Sequence, residues 1–346
     1  MRITFVLPGF IDAPMGGVKV VVEYANRLAL RGHRVTLIYP LTIGSRCLRL
    51  VKKLPPLFSG KATELYYQPD PHVNVLVVRR ITVKYIPLGD AIIAVGWQTA
   101  AAVADLPLEC GRKFYFLQSF ETYFRQKRQV LATYRLPLQK IAIAQWIIDD
   151  LHSMGENALG PLGNAVNPQE FFLENSNVPR PNDVIMFYHH RRIKGAKEGL
   201  AVLQQLKQKR PETRAVIVSP RPPLHRIPEW CELVIQPEIA HLRQLYNSTK
   251  VLLFPSQWEG WGLPPMEALA CGCAVVAVAN RGVCEYLTDN ENVLLCPLGD
   301  RQLLFTRLLQ LLEDEPLRER LVASGRKTVL QYSWDNLITA FEKMLQ

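Results

Sequence analysis

Residues 251–287 constrain this chain more than any other stretch of its 346 residues. Val251, Leu252, Leu253 and Phe254 form a short apolar strand that ends at Pro255. A turn rich in glycine and proline follows, carrying Glu259 and then Glu267, and a second apolar strand is expected over 274–278. Pro264 and Pro265 suit the first turn of a helix, where a missing backbone N–H costs nothing. Glu267 is then expected near the helix N-terminus, close to unpaired amides and the positive end of the dipole. Gly260 and Gly262 let backbone approach a ligand with no side chain in the way. Carboxylates accept from vicinal hydroxyls and free amides donate to oxygens, so the stretch suits a ligand rich in hydroxyls and negative charge.

The same alternation of strand and helix runs through the whole chain, which argues for parallel sheets covered by helices. In the first half, strands are expected at 3–7, 35–39, 73–78, 91–95, 113–117 and 140–144, with a helix over 17–31. In the second half they fall at 184–188, 214–218, 233–235, 251–254, 274–278 and 293–296. A chain of this length is comfortable as two domains. Two β-branched sets of this kind imply two Rossmann-like units: residues 1–172 and 183–331. Residues 173–182, polar and proline-bearing, are the expected linker. Residues 332–346 are expected as a last helix that crosses back to the first domain.

A hydrophobic content of 48% with 21% charged residues is that of a folded globular protein. No apolar run reaches the roughly 20 residues that span a bilayer, and residues 1–8 enter a strand directly, so no signal peptide is expected. Seven cysteines include no C-x-x-C pair. Cys271 and Cys273 flank Gly272 in a spacing unsuited to zinc and are expected as packing residues in a reducing cytoplasm. Net charge is +10, and residues 1–172 hold 20 Lys and Arg against 12 Asp and Glu. That basic half suggests an anionic partner, a membrane surface or a charged glycan. Nucleic acid is not expected, for want of a binding motif. Residues 45–58 mix Arg46, Arg49, Lys52 and Lys53 with apolar residues. They fit either an anionic membrane surface or a helix covering the sheet. Residues 124–128 are a second basic stretch.

Glu259 through Glu267 form an E-x7-E pattern, followed in register by 274–277, Gly282, Glu285-Tyr286-Leu287, 292–295 and Gly299-Asp300. A bare pair of glutamates eight apart is usually a pair of solvated helix charges; set between two strands it resembles the signature of retaining glycosyltransferases of family 4. The resemblance implies an α/β chain of the GT-B fold, two Rossmann-like domains with parallel sheets facing a central cleft. Asn164-Ala165-Val166-Asn167 and Phe171 resemble the segment that ends the family's first domain. The family's activity is sugar transfer from a nucleotide diphosphate donor to a glycan or lipid-linked acceptor, with no cofactor and no metal.

The resemblance also implies roles for residues. Gly16-Gly17 follows Pro8-Gly9 and Met15 and opens the first helix; such a pair is commonly just a flexible turn, and in the family it meets the donor diphosphate. Lys194-Gly195 matches the family's Lys-Gly pair, a point charge for the diphosphate. Arg191 and Arg192 stand for an upstream arginine, whose commoner position is held by His189; a basic surface loop is the plainer reading for one of the two. Glu267 is expected on the ribose and Glu259 on the donor sugar near its reacting carbon, with Gly260, Trp261, Gly262 and Leu263 beside them. Trp258 and Trp261 wall the sugar or pack the turn, packing being the commoner use of an indole. Many members of the family place a histidine after a first-domain strand, near the donor sugar; the segment 113–121 lacks one, and Gln118 or Glu121 is expected to fill that space, as candidate catalytic residues beside Glu259 and Lys194. A bacterial rhamnosyltransferase-like subgroup has a similar Gln…Phe-Glu stretch.

Together these observations predict a hexosyltransferase-like enzyme of polysaccharide or glycoconjugate biosynthesis, in the cytoplasm or at the inner face of a membrane. Three other readings remain. A glycoside hydrolase would use the two glutamates as acid and nucleophile but has no need of the Gly16-Gly17 and Lys194 set. A nucleotide-sugar epimerase shares the fold and needs no acceptor. A non-catalytic nucleotide-sugar-binding subunit would account for the absent histidine.

Overall fold

The computed structural model describes residues 1–9, 15–43, 46–47, 67–124, 126–174 and 179–346, with only the backbone of Ile43, Arg46 and Cys47. The basic stretch 45–58 lies outside the described residues apart from that backbone, and Arg125 of the second stretch lies outside them as well. Contacts divide the chain into two units, Met1–Gly163 with Ile338–Gln346, and Asn164–Leu337.

The first unit carries β1 (Arg2–Val6), α1 (Gly16–Leu30), β2 (Arg34–Pro40), a small antiparallel pair β3 (Thr42–Ile43) and β4 (Arg46–Cys47), and β5 (Asn74–Val78). There follow β6 (Ala91–Val95), α2 (Trp97–Ala104), β7 (Arg112–Leu117), α3 (Lys127–Thr133), β8 (Gln139–Ala142), α4 (Gln145–His152) and β9 (Ala158–Leu159). Its main sheet has the order β5-β2-β1-β6-β7-β8-β9 and is parallel throughout. All five residues of β6, Ala91 to Val95, are buried, as expected of a parallel strand covered on both faces. Helix α1 buries Val18, Val21, Val22, Ala25 and Leu28, an apolar stripe at helical spacing.

The second unit holds β10 (Asn182–Phe187), α5 (Ala196–Lys209), β11 (Ala215–Ser219), β12 (Cys231–Ile235), α6 (Ile239–Asn247), β13 (Thr249–Phe254), α7 (Leu263–Ala270), β14 (Ala274–Val278), β15 (Leu294–Cys296), α8 (Arg301–Glu313) and α9 (Glu315–Leu330). Its sheet has the order β12-β11-β10-β13-β14-β15, again all parallel. Val184, Met186, Leu253 and Val276 of the sheet pack with Leu308 and Leu311 of α8 in its core. Asp300 and Asp314 cap α8 and α9 by accepting from the amides of Leu303 and Leu317. Cys271 and Cys273 are buried free thiols, and burial pushes the Cys273 thiol up to about 12, so it packs as a small apolar group.

Every strand expected from the sequence is present; β3, β4 and β9, two residues each, have too little pattern to be read locally. Residues 173–182, expected as a linker, are counted with the second unit, and 175–178 of them lie outside the described residues. Phe171 packs edge-on against Tyr246, and the Arg180 guanidinium donates to the carbonyls of Tyr246, Thr249 and Cys271, so the chain on both sides of 175–178 is tied into the second unit. Helix α10 (Trp334–Leu345) starts in the second unit and ends in the first. There Phe341 stacks on Phe5 at 6.1 Å and meets Tyr24 at 4.7 Å.

Candidate active site

In the second unit the candidate residues gather on the carboxyl ends of three neighbouring strands, β10, β13 and β14, where ligands of open parallel sheets bind. The loop after β10 ends in a 3-10 turn, Arg192–Lys194, closed by Gly195 in the left-handed region at φ 65°. A Cβ on Gly195 would lie 2.0 Å from the carbonyl oxygen of Pro255, so only glycine lets the turn rest on the loop after β13. The Gln257 amide then donates to the Ile193 carbonyl at 2.8 Å. This contact sets Lys194 Nζ 2.7 Å from Glu259 Oε2, with the two side chains 28% and 14% exposed.

The loop after β14 closes the other side. Asn280 donates from Nδ2 to the Ser256 carbonyl at 2.9 Å, and its Oδ1 accepts from the amides of Gly282 and Val283. Gly282 lies so near Glu259 that a Cβ would meet the Glu259 carbonyl oxygen at 2.6 Å. The Tyr286 hydroxyl donates to the Gly262 carbonyl at 2.5 Å, fixing the residue that precedes α7 at φ 99°.

Helix α7 begins at Leu263 with the prolines in its first turn, as expected. Glu267 is its fifth residue, however, past the free amides of the first turn, and its Oε2 accepts from the buried Tyr246 hydroxyl at 3.3 Å. Burial, reinforced by the Glu267 charge, pushes the Tyr246 pKa well up, so that hydroxyl remains a donor. The Trp261 ring is buried, stacks on Tyr286 at 5.3 Å and donates from Nε1 to Met266 Sδ. Its side chain therefore packs the turn and is no sugar wall. Trp258, Gly260 and Leu263 are half-buried.

Arg191 and Arg192 are exposed on either side of the start of the 3-10 turn. His189 accepts at Nδ1 from the Arg191 amide at 3.0 Å. Burial, then the charges of Lys194 and Arg191, push its pKa down to about 4.

The first unit has its own polar edge on the carboxyl ends of β1, β6 and β7. Connections diverge there, because β1 pairs with β2 on one side and β6 on the other. Gly16 and Gly17 open α1, and the Gly17 carbonyl accepts from Gln118 Nε2 at 3.0 Å. A Cβ at Gly17 would sit 3.4 Å from Gln118 Oε1. Glu121 Oε2 accepts from the Trp97 amide at the start of α2, and the Glu121 amide donates to the Tyr134 hydroxyl. Gln118 and Glu121, expected near the donor sugar, thus brace loops of the first unit. Lys194, Glu259 and Glu267 belong to the second.

Sequence reasoning missed Asn280 and Tyr246, and gave Tyr286 a place in the family pattern but no role. Asn280 announces itself only as a polar residue straight after an apolar strand, and Tyr246 sits in a helix with no signal at all. Among the described residues no group of three or more His, Cys, Asp or Glu is placed to hold a metal ion, and no helix is long and apolar enough to cross a membrane.

Residues 168–328 match the family described as glycosyl transferases group 1. The chain carries a group 1 glycosyl transferase domain. That domain contains Lys194, Glu259, Glu267 and Asn280. Phosphatidyl-myo-inositol mannosyltransferase of Mycobacterium leprae is 25% identical to the chain, over 96% of this sequence and 93% of that protein. O-antigen chain mannosyltransferase B of Escherichia coli is 34% identical over 98 residues, 28% of this chain and only 25% of that protein. Among solved structures, HepE of Anabaena in complex with UDP and glucose superposes with a TM-score of 0.74 at 16% identity. The match covers 100% of this chain and 99% of that one. A likeness of that kind shows the fold, and the chain has the GT-B fold, two Rossmann-like units each built on a parallel sheet.

Proposed function

We propose that this chain transfers a sugar from a nucleotide diphosphate donor to a glycan or lipid-linked acceptor in glycoconjugate biosynthesis, with retention of anomeric configuration as in family 4. The contact between Lys194 and Glu259 carries the reading, because it puts one positive charge and one carboxylate side by side on a glycine-lined sheet edge. A nucleotide sugar needs that pair: the ammonium takes diphosphate oxygens and the carboxylate takes sugar hydroxyls. Glu267 serves the ribose hydroxyls. In the transfer step the bond from the anomeric carbon to the diphosphate breaks and the acceptor oxygen bonds to that carbon. The acceptor proton passes to the leaving diphosphate, whose growing charge Lys194 and nearby amides stabilise without a metal.

Gln118 and Glu121 act in this reading through the loops they hold, since an amide takes no proton and the Glu121 carboxylate already serves the Trp97 amide. The names of the relatives favour a mannosyl donor, and HepE, solved with UDP and glucose, favours UDP-glucose as a second. The excess of basic residues in 1–172 favours an acceptor on an anionic membrane, which binding to anionic vesicles at low salt checks.

The test is calorimetry of purified protein with a panel of nucleotide sugars, followed by NMR of the product anomer. Hydrolysis or transfer with retention supports the whole reading, and inversion overturns retention. Binding without turnover on any acceptor or water leaves a nucleotide-sugar-binding subunit. No binding removes the donor assignment.

A further inference from the structure

On the carboxyl edge of the first sheet three aromatic side chains stand half-buried, whereas Tyr24, Phe114 and Tyr115 of the same unit have no exposed surface. Trp97 opens α2 straight after β6, and Tyr123 and Phe124 lie in the loop after β7. The Trp97 ring is 6.1 Å from that of Phe124, which is 4.7 Å from that of Tyr123, so the three make one continuous surface. Their backbone is fixed. Gly96 turns the chain into α2 at φ 85°, and a Cβ there would meet Gln98 Oε1 at 2.8 Å. Glu121 takes the Trp97 amide on its carboxylate, and its carbonyl accepts from the Phe124 amide at 3.2 Å. On the same strand ends Trp97 Nε1, Gln98 Oε1 and Ser119 Oγ are buried without a hydrogen-bond partner, an uncommon gathering of unmade bonds. Lys127 and Arg128, both exposed, follow in the first turn of α3, where a cation opposes the helix dipole. Neither has an acidic partner among the described residues, and the chain carries no Asp or Glu from 122 to 148.

We propose that this edge is the acceptor subsite and that it selects a glycan bearing a negatively charged sugar, a uronate being the plainest case. A pyranose ring has apolar C–H faces and a polar rim, which matches a half-exposed aromatic surface bordered by unpaired polar groups. Sugar hydroxyls both donate and accept, so they serve an indole N–H, an amide oxygen and a seryl hydroxyl alike. The carboxylate takes Lys127 or Arg128 in a charge-assisted hydrogen bond. The rings also lie on the edge where open parallel sheets take their ligands. A neutral glycan would leave the two cations unused, and a lipid surface would cover the three polar groups and leave them unpaired.

The inference rests on the transferase reading above, and glycan binding is measured without donor so that the two can fail separately. Calorimetry on the full chain compares short oligomers of galacturonate, glucuronate and mannuronate with their uncharged methyl esters. Sedimentation with anionic phospholipid vesicles runs beside it. At least one uronate oligomer should bind, about tenfold or more tighter than its ester, with affinity falling as salt rises. The double variant Lys127→Ser, Arg128→Ser should hold acid and ester alike. Tyr123→Ala and Phe124→Ala, each checked for folding by its melting temperature, should weaken acid and ester together by about fivefold. All these variants should keep wild-type affinity for UDP-glucose and GDP-mannose. Equal affinity of wild type for acid and ester, binding unmoved by the aromatic variants, or no binding of any oligomer overturns the inference. The donor reading then stands if nucleotide sugars still bind. Vesicle binding that needs Lys127 and Arg128, with no oligomer bound, gives the patch to a membrane and overturns the inference as well. Failure of the nucleotide sugars to bind, with a uronate oligomer still held, removes the donor reading alone.

Discussion

Lys194 Nζ stands 2.7 Å from Glu259 Oε2 across 65 residues of chain, and each is the other's ion-pair partner at the edge of the second sheet. A ligand anion at the ammonium shares or competes for its three donors with the carboxylate, so the two side chains answer to substrate together. Lys194→Met should weaken nucleotide diphosphate binding by about 1.5–3 kcal/mol, the worth of a hydrogen bond to a charged group. Glu259→Gln should lower turnover and leave affinity for free nucleotide equal or slightly tighter. Calorimetry with UDP and GDP beside a turnover assay checks this, and equal losses of nucleotide affinity in both variants would sink the division of roles.

Glu267 has a structural duty beside its expected one. Truncation in Glu267→Ala leaves the buried Tyr246 hydroxyl without that acceptor, at about 1–3 kcal/mol. The variant should melt lower and bind nucleotide more weakly. Tyr246→Phe removes the donor and keeps the carboxylate, so its nucleotide affinity should stay within a few-fold of wild type. A tenfold loss there would mean that the hydroxyl positions Glu267.

Gly195→Ala tests the seating of the 3-10 turn. Its Cβ would collide with the Pro255 carbonyl and φ 65° is strained for any side chain, together about 2 kcal/mol or more. Either the protein loses that stability or the turn lifts and Lys194 leaves Glu259. Thermal melting and donor affinity should therefore not both match wild type.

The C-terminal helix is held to the first unit by Glu342. Burial raises its carboxyl pKa, but hydrogen bonds from His33 and Arg31 outweigh that and hold it below the ordinary glutamate value. A lowered folded-state pKa gives stability that is full above the unfolded value of about 4.3 and is lost as pH falls through the folded one. The difference in melting temperature between wild type and Glu342→Gln should be constant near neutrality and shrink below that value. A difference that persists unchanged into acid would assign the contact no electrostatic share.

In the proposed reading Lys194 and loop amides supply the charge that meets the diphosphate, so activity should survive chelation. Turnover lost in EDTA and restored by magnesium or manganese would show that a metal shares that task.

What the sequence determined by itself is local. Alternating apolar strands and helix starts placed the elements of both sheets, because burial on both faces leaves continuous β-branched runs such as Ala274–Val278. Gly260, Gly262, Pro264 and Pro265 marked the turn into α7, because φ freedom and a missing N–H are properties of single residues. Only the tertiary structure decided which side chains meet. Strand order brings Lys194 to Glu259 and Gln118 to Gly17, it buries Trp261 on Tyr286, and it hands Glu267 to Tyr246. The same is true of the boundary near Gly163 and of the helix that begins in one unit and ends in the other. Periodicity says how a segment is buried and nothing about its neighbours. Those follow from which strands pair, and pairing is settled by packing across the whole sheet.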